Sequence, residues 1–106
     1  ILEATCRLLS NWGCNCVSAN DEATAIQIAT DQDLDLIISD YGLDGDVTGC
    51  SVVSKLMIQL VEPAPTIIMT GDTSIEIMRE VNALGFQILH KPILPSQLKS
   101  MIASLV

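Results

Sequence analysis

Three short apolar runs, each closed by a polar residue, limit what this chain can fold into: residues 34–39 (LDLIIS) before Asp40, 66–69 (TIIM) before Thr70, and 86–89 (FQIL) before His90 and Lys91. Runs this short, rich in β-branched side chains and nearly continuous, suit strands covered on both faces. The stretches between them carry helical spacing. Val52, Val53, Leu56, Met57 and Leu60 form one apolar stripe, ended by Pro63 and Pro65. Ile77, Val81 and Leu84 line the next helix up to Gly85; Leu98, Met101, Ile102 and Leu105 line a last one, with Pro95 suited to its first turn. Upstream, Leu2, Cys6 and Leu9 recur at helical spacing within residues 1–12, and Gly13 is a stop signal. Residues 14–19 suit a short strand, after which Asn20 or Asp21 can cap a helix whose inner side is Ala25, Ile26 and Ala29. No N-cap signal precedes Ile1, so the expectation is that the chain starts inside a helix or at its edge.

The resulting order, αβαβαβαβα, implies a parallel sheet with right-handed crossovers and helices on both faces. Ligand sites in such sheets lie at the carboxyl ends of the strands. Asp40, Thr70 and Lys91 are all expected there. The loop 40–48 (DYGLDGDVT), with two glycines and three carboxylates, cannot be core.

At 106 residues and 49% hydrophobic, the chain is one domain with enough apolar material for a single core. Five Lys and Arg against thirteen Asp and Glu give a formal charge of -8, which repels phosphodiester backbones and anionic lipid surfaces. Nucleic-acid binding by this domain and direct membrane contact are therefore not expected. No apolar run approaches the ~18 residues of a membrane span, and the chain does not open like a signal peptide, so a cytoplasmic module is expected. Cys6, Cys14, Cys16 and Cys50 lack a Cys-x-x-Cys pair or clustered His, and read as small buried thiols rather than disulfides or zinc ligands.

A carboxylate, a hydroxyl and an ammonium at three adjacent strand ends can share one crevice. The carboxylate can act as nucleophile and form an acyl phosphate, the hydroxyl can donate to a phosphoryl oxygen, and the ammonium can offset the added charge. Taken singly, Asp40 could begin a turn, Thr70 could cap a helix and Lys91 could reach into solvent. Their joint placement favours a site.

These motifs, LDLIISDYGL, PTIIMTGD and GFQILHKPILPSQL, together resemble response-regulator receiver domains over essentially the whole chain. The resemblance implies a flavodoxin-like, doubly wound parallel sheet of order 2-1-3-4-5. It also implies Asp40 as phosphoacceptor, Thr70 as switch hydroxyl, Lys91 as phosphate-pairing lysine and a cis Lys91–Pro92 bond. Mg2+ is the implied cofactor, held by Asp40 and the Gly42 carbonyl, while Gly71 and Asp72 border the phosphate and Gly42 and Asp72 tune its lifetime. The implied partner is a histidine kinase or a histidine phosphotransfer protein, and a homodimer is allowed. The HKPILPSQL segment is most similar to receivers of hybrid sensor kinases. The domain itself is then no enzyme beyond self-dephosphorylation.

Two departures accompany the resemblance. The family's first strand and its acidic pair, which complete the metal site, are absent from this sequence, so residues 1–106 are read as an N-terminally incomplete receiver domain. Either further residues precede Ile1, or the domain is distorted, swapped or metal-free. At the position three before Lys91, where many receivers carry an aromatic, stands Ile88, which reads as packing; Phe86 and His90 share its strand face. Two rivals remain. One is a haloacid-dehalogenase-like phosphatase, opposed by Gly42 where a second Asp is required. The other is a pseudo-receiver that binds a partner through residues 75–106 without taking phosphate.

Overall fold

A computed structural model describes residues 2–19, 21–31, 33–42, 48–60, 62–71 and 74–105, with side chains from Arg7 onward. The elements are α1 (Leu2–Asn11), α2 (Glu22–Asp31), β1 (Ile37–Asp40), α3 (Gly49–Gln59), β2 (Thr66–Thr70), α4 (Ile75–Ala83), β3 (Gln87–His90) and α5 (Pro95–Leu105). The strands form a parallel sheet in the order β1-β2-β3, with Ile37 opposite Thr66 and Ile67 opposite Gln87. Among the described residues this is the doubly wound α/β arrangement expected from the sequence, reduced to three of its strands.

Every residue of the central strand β2 is buried, because both faces are covered. On one face Ile37, Ile68 and Ile88 pack with Cys50 and Val53 of α3 and Ile77 and Val81 of α4. On the other, Ile67, Met69 and Leu89 meet Leu98, Met101, Ile102 and Leu105 of α5, with Leu8 and Trp12 from the first helix and its end. Between α2 and α3, Ala29 packs against Val52 and Leu56, and Glu22 pairs with Lys55 at 2.9 Å.

Capping follows the sequence signals. Asp21 Oδ1 accepts the Thr24 N–H at 2.7 Å at the head of α2, and this bond, helped by the Thr24 side chain, holds the Asp21 carboxyl below its ordinary pKa. Thr48 accepts the Ser51 N–H at 3.2 Å to start α3. Pro95 is the first residue of α5. Gly13, with φ +85, turns the chain after α1, a conformation that a side chain would strain.

Four expectations need correction. Residues 14–19 form no ladder. A strand exists by pairing, and in the order 2-1-3-4-5 this one would pair only with the first strand. Cys14 is consequently exposed rather than a buried thiol. Leu84 is 44% exposed, because it lies past the last turn of α4, where Gly85 at φ +78 redirects the chain. Asp40 and Thr70 are the last residues of β1 and β2 rather than the first after them, and the outer strands β1 and β3 begin later than their apolar runs.

Candidate functional site

The sheet register builds the site as a staircase. Asp40 is level with Met69, Thr70 lies one residue beyond it and is level with His90, and Lys91 lies one further. The bonds that fix the steps are Tyr41 N–H to the Met69 carbonyl and Lys91 N–H to the Thr70 carbonyl, both 2.8 Å. Asp40 and Lys91, 51 positions apart by subtraction of their numbers, meet with Nζ 2.8 Å from Oδ1. Asp40 Oδ1 is closed off from solvent and receives no aligned hydrogen bond, so the contact is an ion pair. Thr70, 5% exposed, ends the strand between them. Lys91–Pro92 is cis, as the resemblance implied.

The other expected residues are placed less tightly. Gly42 is exposed and bridges to Thr48, and Gly71 is exposed beside Thr70. Asp72 lies outside the described residues. Ile88 packs in the core with Phe86. His90 is half-buried, and its Nε2 is shielded without a hydrogen-bond partner.

Sequence reasoning passed over Gly49. A Cβ on Gly49 would overlap the Asp40 carbonyl oxygen and come within 2.6 Å of Ser39 Oγ, so α3 can start against the end of β1 only because residue 49 lacks a side chain. The Gly49 N–H donates to the Tyr41 carbonyl at 2.7 Å, and Ser39 Oγ donates to the Asp40 carbonyl at 3.0 Å. The available signal was a glycine in the first turn of a helix, where propensity alone favours almost anything else.

Beyond Asp40 a groove of about 710 Å³ follows the free edge of β1 from Leu34 to Gly42, bounded opposite by residues 17–19 and α2. A first strand would occupy this place in a 2-1-3-4-5 sheet. For a divalent cation the described residues fit in part. Asp40 offers a carboxylate, one oxygen of which is already paired with Lys91, and Gly42 a carbonyl, but no group of three or more His, Cys, Asp or Glu suited to a metal occurs among the described residues. Also among the described residues, no helix is long and apolar enough to cross a membrane.

Cys50 borders the site at the start of α3. Burial, with the charge of Glu80 adding to it, pushes its thiol from 9.0 up to about 11. Iodoacetamide at pH 8 is therefore expected to alkylate exposed Cys14 and to spare Cys50 in the native protein, with both labelled in denaturant. Native labelling of Cys50 as fast as Cys14, read by peptide mass, would contradict this.

A carboxylate, a hydroxyl and a lysine thus stand at the ends of three neighbouring parallel strands of a doubly wound domain. The sequence model described as "Response regulator receiver domain" matches residues 1–103, and the chain belongs to that family. No curated protein sequence matches significantly. Among solved structures, Vibrio cholerae chemotaxis protein CheY4, crystallised at pH 4.0, is similar at 26% identity and TM-score 0.86, over 99% of this chain and 88% of that one. The receiver domain of NtrX from Brucella abortus shares the fold at 21% identity and TM-score 0.85, over 97% and 87%. A Burkholderia pseudomallei response regulator, solved with a phosphorylated aspartic acid, calcium ion and citrate, does so at 24% and TM-score 0.80, over 98% and 59%.

Proposed function

We propose that this domain accepts a phosphoryl group on Asp40 from a phosphohistidine donor in a two-component relay. The observation that carries the reading is the Lys91–Asp40 ion pair at 2.8 Å, formed at the carboxyl ends of β1 and β3 across the end of β2. An Asp40 carboxylate oxygen attacks phosphorus, the P–N bond to the donor imidazole breaks, and the imidazole leaves after taking up a proton. Lys91 stays beside the new acyl phosphate and offsets its charge, while the Thr70 hydroxyl donates to a phosphoryl oxygen. When a divalent cation such as Mg2+ is bound, the Asp40 carboxylate and Gly42 carbonyl would hold it, and it supplies further charge neutralisation.

The donor is then a histidine kinase or histidine phosphotransfer protein in the cytoplasm, and the HKPILPSQL segment favours the receiver of a hybrid kinase. The test is whether the chain incorporates a hydroxylamine-labile phosphoryl group that depends on Asp40.

Gly42 bears on the lifetime of that group. A Cβ there would meet nothing within 4 Å, so a larger side chain fits without distorting the fold and can screen the acyl phosphate from water. Gly42→Gln is expected to lengthen the half-life of the labelled protein several-fold. An unchanged decay rate under matched conditions would refute screening.

A further inference from the structure

The residue after the proposed phosphoacceptor is tied at both ends of its backbone and at the tip of its side chain. Tyr41 donates its N–H to Met69 on β2 and accepts from Gly49 at the start of α3. Its phenol donates to Glu80 Oε1 on α4 at 2.6 Å. Two side-chain torsions separate that fixed backbone from the phenol oxygen, so the ring, which packs on the core beside α3, is a short and stiff arm.

The helix at its far end is thinly held. Val81 is the fully buried residue of α4, Ile77 is partly buried, and Ile75 is 63% exposed. A short hydrogen bond to a carboxylate belongs to the stronger class, and this one, although exposed, adds to the limited apolar contact that Val81 and Ile77 give α4. Glu80 itself is exposed on the surface of α4, and the bond to Tyr41 ties its carboxylate back toward the end of β1.

We propose that the Tyr41–Glu80 hydrogen bond is a latch that holds α4 to the end of β1 and passes a change at Asp40 on to α4. Its trigger rests on the phosphoacceptor reading; its holding role does not. A phosphoryl group on Asp40 engages the Lys91 ammonium and brings bulk and negative charge to the residue joined to Tyr41. Displacement of the backbone at 40–41 swings the phenol away from Glu80 and loosens α4.

Hydrogen exchange on the full chain tests this. Tyr41→Phe keeps the ring and removes the hydroxyl; it is expected to speed exchange of α4 amides several-fold and leave β2 amides unchanged. Glu80→Ala should do the same, and the double variant should be no faster than either single one. Unchanged α4 exchange in Tyr41→Phe, or additive effects in the double variant, would overturn the latch. After treatment with acetyl phosphate and Mg2+, α4 of labelled wild-type protein should exchange as in Tyr41→Phe. Labelled protein with unchanged α4 overturns the trigger and leaves the phosphoacceptor reading standing. Failure to label removes the trigger with that reading, and the variants in unlabelled protein still decide the holding role.

Discussion

Asp40→Ala is expected to take up no phosphoryl group from acetyl phosphate and Mg2+ under conditions that label the wild-type chain. The variant should remain folded, because the Lys91–Asp40 pair is partly exposed, with side chains 39% and 29% accessible. Such pairs contribute at most about 1 kcal/mol after screening by solvent. A melting curve within a few degrees of wild type would therefore separate loss of chemistry from loss of structure. Lys91→Met keeps the nucleophile and removes the nearest cation from a domain of formal charge -8, so it should label much more slowly rather than not at all. Equal labelling of wild type and Asp40→Ala would place the phosphoryl group elsewhere and end the reading. An unlabelled wild-type chain would favour the pseudo-receiver alternative. Steady turnover of a generic phosphate ester would instead point to a hydrolase, which Gly42 opposes because it leaves no second acid two residues after the nucleophile.

The sequence announced what depends on local composition. β2 was legible because TIIMT carries its own reason to be buried on both faces, and α3 because its apolar stripe keeps helical spacing. The three polar residues were legible because each follows such a run. Contacts between distant segments were not. Residues 14–19 have the composition of a strand yet form none, since a strand also needs a partner. The Tyr41–Glu80 bond spans 39 positions, and no periodicity links its ends. Leu84 keeps the spacing of the α4 stripe but follows the point where the helix has ended, and spacing alone does not mark that end. Ile88, in contrast, read correctly as packing, because its strand face is shared by Phe86 within the core.

Gly49→Ala tests the part of the site that sequence reasoning passed over, and the sign of its effect is informative. In an unconstrained helix, replacing Gly by Ala stabilises by up to about 1 kcal/mol. Here the added methyl falls on the Asp40 carbonyl oxygen and lies 3.0 Å from the carbonyl carbon. Those are backbone atoms of a paired strand and cannot rotate away, so either α3 retreats from β1 or the end of β1 shifts. We expect a cost of about 3 kcal/mol, the upper part of the usual range for overpacking. For a domain of this size that lowers the midpoint of thermal unfolding by on the order of 10–20 °C. Gly42→Ala is the control, since its methyl would meet nothing within 4 Å and should change stability by no more than about 0.5 kcal/mol. Because the clash falls on the proposed phosphoacceptor, the folded fraction of Gly49→Ala should also label more slowly; a misplacement of about 1 Å can cost on the order of a hundredfold in rate. Neutral or raised stability in a urea titration, with normal labelling, would mean that the strand end yields to the methyl and that Gly49 does not set the position of Asp40.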